Sequence, residues 1–316
     1  MKYLVGVDVG GTTVKLGIFP EEGNALYKWE IPTKKNEEAD QLWTSIAESV
    51  REKFAEEGLQ IEDLISVGIA IPGPVRSDGY LPYLVNIGVK ACYPGEELSK
   101  LLGVPVAAGN DANAAALGEM YYGAARGYQN VALVTLGTGV GGGIIVNGQL
   151  IAGNRGVGGE IGHFVVNPDE TEQCNCGNHG CLEQYASATG MVRIAKKYLA
   201  EENSVSSLRA LPEEKVSART ICDAAREGDP LALHVMDTYG KYLGLGLSHI
   251  FLTYDPDIIV VGGGVSKAGD VVIKPLEKYL DEFTHIATEK CRIVLAELGN
   301  DAGIYGAAAL AKTALK

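Results

Sequence analysis

No apolar run in this chain approaches the roughly 18 residues that a membrane-crossing helix needs. Basic residues are also short. There are 27 Lys and Arg against 40 Asp and Glu, a formal net charge of −13, and no basic run occurs. Duplex binding depends on clustered cations that displace counterions, so nucleic acid is excluded as a main partner. Aromatic residues make up only 7% of the chain, which leaves no broad stacking surface for bases. The six cysteines do not form the framework of a secreted disulfide domain. Cys92, Cys222 and Cys291 are scattered, whereas Cys174, Cys176 and Cys181 fall within eight residues, a metal-site spacing. The first 20 residues read as folded strands, so neither a signal peptide nor a membrane span is expected, and the expected compartment is the cytoplasm.

What is present is an α/β chain of enzyme-like composition, with 316 residues, 46% of them hydrophobic, and 41 glycines. That length is comfortable for two domains. Tyr3–Val9 reads as an apolar strand, interrupted by Gly10-Gly11 and resumed over Val14–Phe19. Leu42, Ile46, Val50 and Phe54 recur every fourth residue, which predicts a helix within 36–57. Ile65–Ile71 and Val104–Ala108 read as strands, and the alanine-rich 112–120 as a helix. The plan of strand, Gly/Thr turn and strand returns at Val131–Leu136 and Ile144–Val146. Helices are expected near 187–200, 217–227, 229–251, 270–283 and 301–314, with strands at 258–261 and 292–296. The repeated plan of 3–19 and 131–146 suggests a duplicated α/β unit, with a lobe boundary soon after residue 110 and no low-complexity linker.

Both repeats carry a glycine-threonine turn. In Asp8-Val9-Gly10-Gly11-Thr12-Thr13-Val14-Lys15 the glycines let backbone N–H groups approach a phosphate, and the threonine hydroxyls add donors. Asp8, at a strand end beside them, is placed to hold Mg²⁺ directly or through water. The bland alternative is an ordinary hairpin turn. The second turn, Gly137-Thr138-Gly139-Val140-Gly141-Gly142-Gly143, fits the spacing G-x-G-x-x-G, but a strand and an Asn-Gly hairpin follow where a dinucleotide site needs a helix. A pair of such turns is read as a grip on ATP phosphates. Gly262-Gly263-Gly264, after a buried strand, would let a third backbone segment approach a nucleobase or ribose, or serve simply as a strand-to-helix loop.

Residues 153–183 are rich in glycine and cysteine with little periodicity, as in a loop held by something other than a core. Three thiolates and one imidazole suit tetrahedral Zn²⁺, and four protein ligands make the site structural. Such a metal contributes roughly 10–16 kcal/mol at neutral pH, ample to order a coreless loop. Cys174, Cys176 and Cys181 supply the thiolates; His163 and His179 compete for the fourth place. Asp111, read alone at a strand-to-helix junction, is better explained by an N-cap than by catalysis.

Together these motifs resemble the ROK family (repressors, open reading frames and kinases), over essentially the whole chain. The resemblance rests on Asp8–Lys15, on Gly137-Thr138-Gly139, on Asn110-Asp111-Ala112-Asn113, and on Glu160-x-x-His163 followed by Cys-x-Cys-Gly-x-x-Gly-Cys-x-Glu ending at Glu183. The run from Cys181 to Gly190 is similar to the bacterial glucokinase branch in particular. The resemblance implies a two-lobed, actin-like (ribonuclease H-like) α/β fold. A small lobe would span 1–110, with a closing helix at about 301–316 packing back on it; a large lobe would span 111–300 and carry the zinc loop 160–183. It implies an ATP-dependent kinase acting on the 6-hydroxyl of glucose, with Asp111 as general base. Asn86, Asn110, Glu160, His163 and Glu183 would contact sugar hydroxyls, His163 also holding zinc through its other ring nitrogen. The nucleotide would engage Asp8, Gly10, Gly11, Thr12, Thr13, Lys15, Gly137, Thr138, Gly139, Gly263 and Gly264. ATP, Mg²⁺ and structural Zn²⁺ are the implied cofactors and a homodimer the implied assembly. One departure is Asn86-Ile87-Gly88-Val89-Lys90-Ala91-Cys92, which lacks the aromatic residue that glucokinases of the family commonly carry there. Mannose, N-acetylmannosamine, N-acetylglucosamine, fructose and allose therefore stay open as acceptors. The family's repressors add an N-terminal helix-turn-helix, for which a phosphate-turn strand starting at Tyr3 is expected to leave no room.

Overall fold

The computed structural model describes residues 1–84 and 87–315. In chain order the regular elements begin with β1 (Tyr3–Val9), β2 (Thr13–Pro20), β3 (Tyr27–Pro32), α1 (Leu42–Glu56), β4 (Leu64–Ile71), α2 (Pro94–Leu102), β5 (Val106–Asn110) and α3 (Asp111–Tyr122). They continue with β6 (Val131–Leu136), β7 (Val140–Val146), β8 (Gln149–Leu150), α4 (Glu183–Ala186) and α5 (Ala188–Glu201). The last are α6 (Ala218–Arg226), α7 (Pro230–Tyr254), β9 (Ile258–Gly262), α8 (Asp270–Phe283), β10 (Arg292–Leu295) and α9 (Ala302–Thr313). Residues 36–41 wind as a 3₁₀ turn, and the first helix starts at Leu42, the first residue of its apolar stripe. Two compact units result. One comprises Met1–Gln129, Gly143–Gly159 and Glu297–Lys316, the other Asn130–Gly142 and Glu160–Ala296. This grouping departs from a boundary near residue 110, because α3 and the segment 143–159 pack with the N-terminal sheet.

The first unit is built on a sheet of order β3-β2-β1-β4-β5, antiparallel through its first three strands and parallel from β1 to β5. Strand alternation sends Val5, Val7 and Val9 to one face, where they meet Leu42, Ile46, Val50 and Phe54 of α1 in a single core. The other face carries Gly6 on β1 paired with Gly68 on β4. A side chain at Gly6 would come within 2.2 Å of the Ile304 carbonyl, and one at Gly68 within 1.8 Å of the Ala307 carbonyl, so only glycine lets α9 lie on the sheet. The same logic joins α3 to α9. A Cβ at Gly306 would stand 2.0 Å from the Ala114 carbonyl, and alanines line the rest of the seam. Glu119 is fully buried in this unit and accepts from the backbone N–H groups of Ala124, Glu297 and Leu298, which satisfies a carboxylate that could not otherwise be buried.

In the second unit, the all-buried β9 lies between β6 and β10 and runs parallel to both. The second sheet has the order β10-β9-β6-β7-β8, and the chain leaves this unit at Gly142, within β7. Helix α7 starts as its sequence dictates, with Asp229 accepting from Ala232 N–H and Pro230 in the first turn. It packs on α8 by close approach, Gly240 against Pro275 and Gly244 against Tyr279. Among the described residues no helix is long and apolar enough to cross a membrane.

Candidate active site

In the first unit, β1 and β2 pair antiparallel with Asp8 opposite Lys15, and the turn between them closes through a 3.0 Å bond from Gly10 N–H to the Thr13 carbonyl. Gly11 and Thr12, at its tip, are exposed. Thr33, just past β3, braces the turn from behind. Its N–H donates to the Thr12 carbonyl at 3.0 Å and its hydroxyl to the Gly10 carbonyl at 2.7 Å. Lys15 Nζ donates to the Asn300 carbonyl at 3.1 Å. Gly303, near the start of α9, gives Asp8 its space, since a Cβ there would meet the Asp8 carboxylate at 2.2 Å. Burial first, and then the neighbouring charge of Asp111, raise the Asp8 pKa to about 6, with Lys15 opposing. The site thus holds a carboxylate short of positive charge beside exposed backbone donors, a fitting place for Mg²⁺ and phosphate.

Helix α3 begins at Asp111, directly after β5. The capping duty falls to Asn110, whose Oδ1 accepts from the N–H groups of Ala112 and Asn113 at 2.9 and 3.1 Å. Asn110 Nδ2 donates to the Gly73 carbonyl at 3.1 Å. Asp111 Oδ1 accepts from Ala112 N–H at 2.8 Å. Burial raises its pKa, and that backbone bond and Asn110 pull the other way. A half-buried carboxylate that lies close to Asp8 and leaves most of the capping to Asn110 is suited to accept a proton.

In the second unit, the turn after β6 is tighter than the glycine run suggests. Gly137 N–H donates to the Gly139 carbonyl at 3.0 Å, and β7 already begins at Val140. Gly137 and Thr138 line a cavity of about 610 Å³ together with Gly264, Lys267, Arg219 and Arg226. Gly263 has φ +86°, and a Cβ there would lie 2.4 Å from the Leu136 carbonyl, so it brings the β9 end against β6 while Gly264 faces the cavity. Asp223 of the same lining pairs with Arg219 and Arg226, and with Lys267 the three basic side chains still outnumber it beside the glycine turn.

The same unit assembles His163, Cys174, Cys176 and Cys181, whose ligand atoms all lie within 4.8 Å of one another. Cys176 and Cys181 Sγ are 3.6 Å apart, near the roughly 3.8 Å that two thiolates on tetrahedral zinc would span. His163 Nδ1 is buried with no hydrogen-bond partner, an orphan that a metal would satisfy, and its Nε2 lies 3.9 Å from Glu160 Oε2. The donor set therefore fits zinc, with His163 rather than His179 as the fourth ligand. The loop is pinned besides through Glu170, which accepts from Tyr185 Oη at 2.5 Å and Arg193 Nη1 at 2.8 Å. Glu183, two residues after Cys181, accepts from Val140 N–H through Oε2 at 3.0 Å.

Asn86 lies outside the described residues. Thr33, Asn300, Gly303, Arg219 and Lys267 escaped the sequence reading. They lie far along the chain from the motifs they support, and no local pattern marks them.

The ROK family profile matches residues 4–314. A glucokinase of Halalkalibacterium halodurans is 40% identical over 316 residues, covering 98% of this chain and 95% of its own. Among solved structures, the ROK glucokinase of Streptomyces griseus in complex with glucose and AMPPNP is 35% identical with a TM-score of 0.75, covering 98% of this chain and 99% of its own. A ROK family transcriptional regulator, a homologue of the E. coli MLC protein, has a TM-score of 0.85 at 27% identity, with 99% of this chain and 78% of that one covered.

Proposed function

The chain belongs to the ROK family, and from that premise we propose that it is an ATP-dependent glucokinase in which Asp111 is the general base on the 6-hydroxyl. One observation carries the reading. Asn110 caps α3, which leaves the half-buried Asp111 carboxylate, its pKa raised, for the substrate. The choice of glucose and ATP is supported by the similar glucokinase bound to glucose and AMPPNP.

Phosphoryl transfer asks for positioning, charge neutralisation and a base near the attacking hydroxyl, with little covalent work. Mg²⁺, when bound, would supply the neutralisation of charge on the donor phosphates. Asp8 is the residue we assign to hold it. Gly10, Gly11, Thr12 and Thr13 offer N–H and hydroxyl donors, with Lys15 alongside; Gly137, Thr138 and Gly139 do the same in the second unit. Gly263 and Gly264 shape the nucleoside end. Glu160, His163 Nε2 and Glu183 accept or donate to sugar hydroxyls, and Asn110 keeps one amide hydrogen for the same purpose; Asn86 belongs to this group by resemblance. Asp111 takes the proton of the 6-hydroxyl as its oxygen attacks. We further assign the protein to the cytoplasm and to a homodimer, the compartment supported by its cysteine usage and the assembly by the family resemblance.

Coupled ADP release with glucose tests the base. Asp111→Asn is expected to lower kcat by about 10²–10⁴-fold while glucose and AMPPNP still bind. Unchanged turnover would remove Asp111 from the mechanism.

A further inference from the structure

The metal loop does more than shape the acceptor side, because both of its arms close on one residue of the second glycine-threonine turn, Val140. On one arm, Gly162 precedes His163, and a Cβ at Gly162 would lie 2.2 Å from the Val140 carbonyl oxygen. This short helical turn therefore rests directly on the Val140 carbonyl. On the other arm, Glu183 follows Cys181 by two residues and takes the Val140 N–H at 3.0 Å. The chain then runs on to bind the turn twice more. Ala188 N–H donates to the Gly137 carbonyl and Thr189 Oγ1 to the Thr138 carbonyl, both at 2.8 Å.

The path from metal to turn is short and stiff. Cys181 is bridged to Val165, and Leu182 is fully buried against Gly246 of α7. The Ala186 carbonyl is held by the buried Tyr239 hydroxyl at 2.6 Å. Glu183, Ala188 and Thr189 of this stretch are thus bonded to Val140, Gly137 and Thr138, and all of these residues belong to one unit.

We propose that the zinc loop is a buttress of the donor-phosphate turn, so that metal occupancy and nucleotide binding are linked, with Glu183 and Thr189 as the positioning residues. The proposal rests on the reading of Gly137–Gly139 as a phosphate turn and of the cysteine loop as a zinc site. Linkage is reciprocal: if the ordered loop favours the nucleotide, the nucleotide must favour the retained metal.

The test uses the zinc-loaded wild-type protein without sugar and follows zinc release to a colorimetric chelator. Saturating Mg²⁺–AMPPNP is expected to slow release about tenfold. Thr189→Val and Glu183→Ala should each reduce that slowing at saturating nucleotide, and Glu183→Gln, which keeps an acceptor for Val140 N–H, should restore it. A general stabilisation of the fold by nucleotide would survive all three substitutions, and that result overturns the buttress. Equal release rates with and without a nucleotide that calorimetry shows to be bound overturn it as well. Failure of the wild type to bind Mg²⁺–AMPPNP, or to carry zinc, would instead strike the reading beneath it.

Discussion

Asn110 and Asp111 stand side by side where β5 meets α3, and the fold divides two tasks between them. Asparagine accepts from two of the first N–H groups of the helix, and aspartate is the residue we assign to the chemistry. The sequence alone could not apportion these roles, because either side chain makes a good cap. Asp8 carries the clearest electrostatic signature of the first unit. Its pKa of about 6, against 3.8 for an ordinary aspartate, reflects burial and then Asp111. A carboxyl raised in this way contributes stability that is fully present below about 3.8 and is lost as pH rises through about 6. Above that pH the ionised group is stressed, and a divalent cation relieves the stress. The apparent Mg²⁺ affinity of the nucleotide complex is therefore expected to rise from pH 5 to 7 with a midpoint near 6, and Asp8→Asn should flatten the dependence. A titration of Mg²⁺-dependent nucleotide binding across that range checks this, and a flat profile in the wild type would remove Asp8 as the metal's anchor.

At the scale of elements, what repeats locally was legible and what depends on distant packing was not. The four-residue stripe of α1, the Asp229-Pro230 start of α7 and the apolar β6 and β9 all stand where periodicity and capping put them. Strand β3 went unread although Tyr27, Trp29 and Ile31 alternate with polar residues, since an edge strand only six residues long gives a weak signal. Helix α2 also went unread, even with Pro94 at its start and Gly103 closing it in the left-handed conformation. The metal loop is the opposite case. It has almost no periodicity, yet its ligand spacing was readable, and only the choice between two histidines needed the fold. That choice is testable. Metal analysis of protein purified without chelator should find about one zinc per chain, His179→Ala should keep it, and His163→Ala should lose it with a lowered thermal transition. Zinc retained at full occupancy in His163→Ala would reassign the fourth ligand.

At the scale of the whole molecule, the fold does not separate a kinase from a regulator, because the similar transcriptional regulator shares this architecture over 99% of the chain. The place of Gly143–Gly159 was equally hidden, since that segment joins the N-terminal sheet only through three-dimensional packing. Charge and chemistry make the separation. A net charge of −13 opposes a polyanion everywhere except where basic side chains are gathered, and Arg219, Arg226 and Lys267 are gathered around a cavity sized for one nucleotide rather than along a surface stripe. A protein that neutralises several phosphates of a duplex loses affinity steeply with salt, so binding should be easiest to see when salt is low. The expected outcome is that duplex DNA shows no mobility shift with this chain at about 50 mM salt, while the same preparation releases ADP from ATP in the presence of glucose. A specific, salt-sensitive shift without ADP release would reverse the assignment. It would turn the two glycine-threonine turns and Asp111 into inherited features of a sugar sensor.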